Sequence, residues 1–255
     1  MRSIQIIIII CILILSTPGS CQDASTYYDN LGGKLLSARN YSEAMDLFNK
    51  SLDQNPENVN AWIHKGDAQK ALKDINASIA SYRRASVLNG KSAAAWSALS
   101  DTYSQQKDYA NATTAAEELV GIDPKNKAYW LKKGSLLQMQ GDFANSAADL
   151  DRAIAIDGKY KDAIYKRALC ELAANRTGEA IKLLDRVIAI DGKYKQAYNA
   201  RGQAMEMQGD WDAAITAYDE AIAVDGKWSL PLNNKMHALL LAGRDKEAVD
   251  ILLRI

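Results

Sequence analysis

Trp62, Trp96 and Trp130 stand 34 residues apart, and the same spacing governs most bulky and most small positions after residue 25. A fixed period of that length means stacked units, each too small to bury its apolar face alone. Counted from residue 25, the chain divides without gaps into 25–58, 59–92, 93–126, 127–160, 161–194, 195–228 and a shorter last block, 229–255. The fourth position reads Tyr28, Trp62, Trp96, Trp130, Ile164, Tyr198, Leu232. The eighth reads Gly32, Gly66, Ser100, Gly134, Ala168, Gly202, Met236. The twentieth reads Ala44, Ser78, Ala112, Ser146, Ala180, Ala214, Ala248, and the twenty-fourth Phe48, Tyr82, Ala116, Leu150, Leu184, Tyr218, Leu252.

Each block reads as two antiparallel helices joined by a short turn. In 195–228 the first helix is expected from Lys195 to Met207 and the second from Trp211 to Val224, with Gln208-Gly209-Asp210 between. Gly141-Asp142 and Gly243-Arg244 mark the same turn in other blocks. Asp157-Gly158, Asp191-Gly192 and Asp225-Gly226 end second helices, with the glycines expected in a left-handed cap. Small residues at positions eight and twenty should let the helices approach closely, and the Trp, Tyr and Leu side chains should fill the space left between them.

The pattern resembles the tetratricopeptide repeat over residues 25–255. Block 25–58 keeps Leu31, Gly32, Ala44, Phe48 and Pro56, and block 93–126 keeps Trp96, Leu99, Tyr103, Ala112 and Pro124. The resemblance implies an all-α solenoid, a right-handed superhelix of seven helix-turn-helix repeats. It also implies a concave groove lined by the first helix of each repeat. Carried over to positions five and nine, the groove residues are Ile63, Asp67, Ser97, Asp101, Leu131, Ser135, Tyr165, Leu169, Asn199, Gln203 and Asn233. Leu131, Tyr165, Leu169 and the nearby Leu172 form an apolar break in an otherwise polar set, either a docking hot spot or part of the core. The Lys-and-Asn clamp with which some family members hold a C-terminal carboxylate is absent in its required spacing.

Position seven, where the family prefers Leu, holds Lys65, Lys133, Arg167, Arg201 and Lys235. Either their stems pack along the core edge with the heads reaching water or a nearby carboxylate, or they form a cationic ladder for an acidic partner.

No catalytic constellation is present. The chain has two histidines, His64 and His237, in different blocks, and no HExxH, paired CxxC or Gly-rich phosphate loop. No metal or cofactor is expected. The Asp-Gly-Lys triplets carry one acid each and lack the alternating ligands of a calcium loop. Lys plus Arg equals Asp plus Glu, 31 each, so no net field steers the chain to nucleic acid. Cys170 lies among Ala168, Leu169 and Leu172 and reads as a packing residue.

The N-terminus points outside the cytoplasm. Arg2, the apolar run Ile4–Leu15 and the helix-breaking stretch Ser16 to Ser20 follow the order of a signal peptide over residues 1–21. As a helix the run would span about 18 Å, against a hydrocarbon core of about 30 Å, which favours cleavage over anchoring. Gly19-Ser20-Cys21 resembles the end of a lipoprotein signal, although Pro18 departs from that pattern, so Cys21 is a candidate for acylation and membrane tethering. Asn40, Asn49, Asn76, Asn111 and Asn175 each begin an Asn-x-Ser/Thr acceptor, as an exported glycoprotein would carry, although Asn and Ser are also ordinary turn residues.

The expected protein is a non-enzymatic scaffold that is exported: extracellular, periplasmic or on the outer face of the cytoplasmic membrane. It would bind a protein or peptide in the groove. The alternative is a structural or assembly subunit of a surface or secretion complex. Block seven stops part-way along its second helix, with Ile251, Leu252, Leu253 and Ile255 and no polar cap. Self-association at that edge, a covering partner, or a longer natural chain would each account for it.

Overall fold

A computed structural model describes the backbone of residues 18–252 and the side chains of residues 24–251. Residues 1–17 of the expected signal peptide 1–21, the Cys21 side chain, and Leu253 and Ile255 lie outside the described residues. Those residues form fourteen α-helices and no strand.

The helices fall into two compact units, Met1–Ile122 and Asp123–Ile255. The first holds α1 (Pro18–Ser37), α2 (Tyr41–Gln54), α3 (Val59–Ala71), α4 (Ile75–Leu88), α5 (Ala93–Gln105) and α6 (Tyr109–Ile122). The second holds α7 (Lys127–Met139), α8 (Phe143–Ile156), α9 (Lys161–Ala173), α10 (Thr177–Ile190), α11 (Lys195–Met207), α12 (Trp211–Val224), α13 (Ser229–Leu241) and α14 (Asp245–Leu252). Within each unit consecutive helices pack as hairpins, and each hairpin packs on the next.

Every hairpin turns on one residue in the left-handed region, and these residues are 34 apart. They are Arg39, Lys73, Lys107, Gly141, Asn175, Gly209 and Gly243, with φ between 57° and 80°. Glycine takes this conformation without a Cβ clash, whereas a lysine or arginine does so at a cost. In four turns the next residue is an aspartate that caps the second helix. Asp74, Asp108, Asp142 and Asp210 each accept a backbone N–H three residues on, at 3.1–3.2 Å.

The connections between hairpins differ from the sequence expectation. Gly158, Gly192 and Gly226 are not left-handed; Gly141, Gly209 and Gly243 are the described glycines with positive φ. Instead Asp157, Asp191 and Asp225 sit extended at the helix end. Each carboxylate accepts the N–H two residues on, at 2.9–3.1 Å. Asn55, Asn89 and Asp123 make the same bond in the earlier connections. A side chain that mimics a backbone turn removes the need for positive φ.

The space above each position-eight glycine is filled from position twenty-four, not position four. A Cβ built on Gly32, Gly66, Gly134 or Gly202 would fall 2.4–2.9 Å from Phe48, Tyr82, Leu150 or Tyr218. These four large side chains are at most 1% exposed. The third hairpin solves the same contact differently, with Ser100 donating to the Ala112 carbonyl at 3.0 Å and Ala116 buried nearby in sequence. The position-four tryptophans lie half-buried over the connections. The Nε1–H groups of Trp62, Trp96 and Trp130 donate to the carbonyls of Pro56, Gly90 and Pro124 at 2.8–2.9 Å. An indole at this position therefore fastens the loop that enters its own hairpin.

Candidate binding surface

The first helices α3 and α5 carry the expected groove residues of the first unit. Asp67 is half-buried and accepts the Tyr82 hydroxyl at 2.7 Å. Burial, and then that bond, push the Tyr82 phenol well above its usual range. Ser97 is half-buried and Asp101 exposed. Ile63 corrects the sequence reading. It is 9% exposed and belongs to the core, where an apolar side chain is removed from water.

Beside Ile63, His64 Nδ1 lies 2.8 Å from an oxygen of the buried Asp29 on α1. The hydrogen bond to Asp29 raises the imidazole pKa against the opposing effect of burial. The His64 ring also lies 5.7 Å from Phe48, so this pair links α1, α2 and α3.

In the second unit the expected set spans α7, α9, α11 and α13. Leu131 is half-buried against the cluster containing Leu150 and Cys170. Ser135 turns its hydroxyl back to the Leu131 carbonyl at 2.7 Å. Tyr165, Leu169 and Leu172 pack partly buried against Ile164, Leu184 and Val187. The Tyr165 ring lies 5.2 Å from that of Tyr194. Asn199 is the second correction. It is buried and accepts from the Asn234 side-chain amide at 2.9 Å, a link between adjacent hairpins. Gln203 and Asn233 are exposed.

Four residues that the sequence reading passed over recur at position thirteen, the last residue of the same four helices. Met139, Met207 and Leu241 are 54%, 48% and 49% exposed, and Ala173 is exposed as well. In the first unit the equivalent residues are Ser37, Ala71 and Gln105. The signal was present in the 34-residue phase, one turn beyond the positions that the family resemblance supplied.

Four of the five position-seven cations are matched by carboxylates. Arg167, Arg201 and Lys235 reach Asp151, Asp185 and Asp219 on the preceding second helix, at 2.6–2.9 Å. Lys133 reaches Asp149 at 3.6 Å, and Lys65 lies over the Trp62 ring. A second series was not anticipated. Lys127, Lys161 and Lys195 open their hairpins and bind Asp157, Asp191 and Asp225, which close them, at 2.5–2.6 Å. Each ammonium also faces the aromatic residue three beyond its aspartate, Tyr160, Tyr194 or Trp228, at 4.7–5.6 Å from the ring centre.

Cys170 is a free, buried thiol that receives the Gln138 amide at 3.0 Å. Among the described residues no group of three or more His, Cys, Asp or Glu could hold a metal ion, and no helix is long and apolar enough to cross a membrane. Of the glycosylation candidates, Asn49, Asn76, Asn111 and Asn175 are exposed and Asn40 is half-buried at the start of α2.

Comparison with known proteins gives the same architecture. A tetratricopeptide repeat model matches residues 35–101 and 137–204, together more than half of the chain, and related repeat models match 93–126 and 195–228. No curated protein matches the sequence. Among solved structures, a tetratricopeptide repeat protein from Parabacteroides merdae ATCC 43184 aligns with a TM-score of 0.71 at 13% identity, covering 91% of this chain and 92% of that one. YrrB, described as a TPR protein with an unusual peptide-binding site, aligns at 0.62 and 19% identity, covering 74% of this chain and 97% of its own. PilW, described as a type IV pilus biogenesis factor, aligns at 0.66 and 18% identity over 77% of this chain and 91% of its own. At these identities the likeness concerns the fold. With its 34-residue hairpins and the repeat models that match them, the chain belongs to the tetratricopeptide repeat family.

Proposed function

We infer that this protein is a non-enzymatic docking scaffold whose second unit binds a partner segment along its first helices. The observation that carries this reading is the row Met139, Ala173, Met207 and Leu241. Four successive hairpins leave an apolar side chain exposed at one repeat position, and the first helix α9 also carries the partly buried Tyr165, Leu169 and Leu172. Exposed apolar side chains repeated in register mark an interaction surface, and methionine adapts to varied apolar partners. An amphipathic helix or extended segment with regularly spaced apolar anchors fits such a row. YrrB, a structural neighbour, is described as binding peptide, in keeping with this reading.

The scaffold acts outside the cytoplasmic membrane, after export by the N-terminal signal, with Cys21 or a cleaved terminus at its start. Its seven repeats occupy residues 25–255. Ser135, Gln203 and Asn233 contribute polar contacts to the partner in the second unit, and Asp67, Ser97 and Asp101 do so in the first. Asn49, Asn76 and Asn175 carry glycans on exposed surface. Affinity capture from envelope extracts, with Tyr165→Ala and Met207→Lys variants beside the natural chain, tests the docking reading. Loss of the captured protein in both folded variants supports it, and undiminished capture by both removes the row from the function.

A second reading rests on Leu240, Leu241 and Val249, which are 49–51% exposed around the last hairpin. An apolar edge there suits an assembly subunit that joins a second copy. Sedimentation that stays monomeric across a hundredfold range of concentration opposes it.

A further inference from the structure

One inter-repeat contact is inverted, and a cleft lies at the inversion. In the last three repeats, position seven of the first helix holds a cation that pairs with an aspartate sixteen residues earlier, on the preceding second helix. Arg167–Asp151, Arg201–Asp185 and Lys235–Asp219 follow this rule. Within the first unit the corresponding residues are Leu99 on α5 and Arg83 on α4. Here the second helix carries the cation, at the position of the aspartate, and position seven, where the cation stands in the later repeats, is a buried leucine. Arg83 is exposed, has no carboxylate partner among the described residues, and lies with its guanidinium 5.8 Å from the centre of the Tyr103 ring.

The cleft between α4, α5 and α6 measures about 360 Å³ and is lined by Arg83, Val87, Trp96, Leu99, Tyr103 and Thr114, among others. Its walls are apolar and aromatic. Val87 is 76% exposed beside it. Tyr103 is 7% exposed, and its hydroxyl is a buried group without a hydrogen-bond partner. An unpaired cation at the mouth, an aromatic floor and an orphan hydroxyl together describe a receptor for an apolar group that carries an acid. The volume falls at the small end of ligand pockets. Arginine recognises carboxylates with geometric specificity.

We propose that this cleft receives an acidic and apolar peptide segment of a partner protein, whose carboxylate binds Arg83 where an aspartate of this chain sits in the later repeats. A neighbouring Phe or Leu side chain of that segment enters between Val87, Trp96 and Tyr103. The cleft is built largely on second-helix residues and on positions four, seven and eleven of α5. It is therefore separate from the exposed row of the second unit and does not depend on it.

The test is an NMR titration of the full-length chain, following the Trp96 indole N–H, assigned by its loss in Trp96→Phe. The probe is the capped pentapeptide Gly-Asp-Phe-Asp-Gly. The comparison ligands are Gly-Lys-Phe-Lys-Gly and free 3-phenylpropionate. The expected result is a saturable shift with the acidic peptide alone, weakened at least about tenfold by Arg83→Asp. The double variant Arg83→Asp with Leu99→Arg rebuilds the ion pair of the later repeats. It should retain the helical spectrum and unfolding midpoint of the natural chain and lose the response. A natural chain without a saturable shift overturns the proposal, as does equal binding of the basic peptide or undiminished binding by the folded double variant. Saturation by 3-phenylpropionate without the peptide also overturns it, since the occupant would then be a small organic acid.

Discussion

The ammonium of Lys161, at the first residue of its hairpin, lies 2.5 Å from the carboxylate of Asp191, which caps the last helix of the same hairpin. The other oxygen of Asp191 accepts the Lys193 N–H at 3.0 Å and so holds the connection to the next hairpin. One side chain thus closes a repeat and launches the following one. The tie to Lys161, with the Lys193 N–H beside it, holds the Asp191 carboxyl below the ordinary carboxylate range.

These two tasks separate by substitution. Asp191→Asn keeps an acceptor for the Lys193 N–H and loses the ion pair, whereas Asp191→Ala loses both. Denaturant midpoints should fall in the order natural chain, Asn variant, Ala variant. Because the folded carboxyl titrates lower than the unfolded one, the stabilisation is present above the unfolded pKa of about 3.9 and is lost as pH falls through the folded value. Added salt should narrow the gap between the natural chain and Asn. An Asn variant as weak as Ala would assign the whole effect to the ion pair.

The left-handed turns offer an asymmetric test. Lys107 occupies at φ 61° a position where Gly209 sits at 77°. Lys107→Gly should raise stability by about 0.5–1 kcal/mol, and Gly209→Ala should lower it by about 1 kcal/mol. Equilibrium urea unfolding measures both. Opposite signs would mean that the turn conformation is not what selects these residues.

Gly202 lies under Tyr218, and a Cβ there would meet the ring at 2.4 Å. Gly202→Ala should cost about 1–3 kcal/mol through overpacking. Gly202→Ser combined with Tyr218→Ala copies the small pair Ser100 and Ala116 of the third hairpin, so the two changes should destabilise by less than the sum of the single variants. A double-mutant cycle reads this directly.

His64 gives the pH dependence of the first unit. Its pKa is raised above 6.5 mainly by the bond to Asp29, so the protonated form favours the folded state. That contribution is complete below the unfolded pKa and disappears as pH rises through the raised folded value. The natural chain should lose more stability than His64→Gln as pH rises past neutrality. Parallel curves would contradict the assignment.

The period of 34 made the hairpins legible because large and small side chains must alternate at fixed offsets wherever helices pack. Gly209 and its equivalents were readable for the same reason, since a flexible residue between two apolar stripes marks a turn. Arg39, Lys73 and Lys107 were not, because local propensity says nothing of a lysine held left-handed by the helices on either side. Ile63 and Asn199 were assigned to the surface by analogy with a position, but burial depends on how far the neighbouring hairpin overlaps that position. Met139 and Met207 were passed over because nothing in residue type separates an exposed methionine from a core one. Each is the last residue of its helix. The Lys161–Asp191 tie spans 30 residues, and only the recurrence of both partners at one period reveals it.

The docking claim is tested most directly by site-specific photocrosslinking in cells that make the protein. A benzophenone side chain at Met207 should capture one defined partner, and the same group at Lys182, exposed on the second helix α10, should not. Capture from Lys182 with none from Met207, or no adduct from either site in a folded chain, would contradict the account.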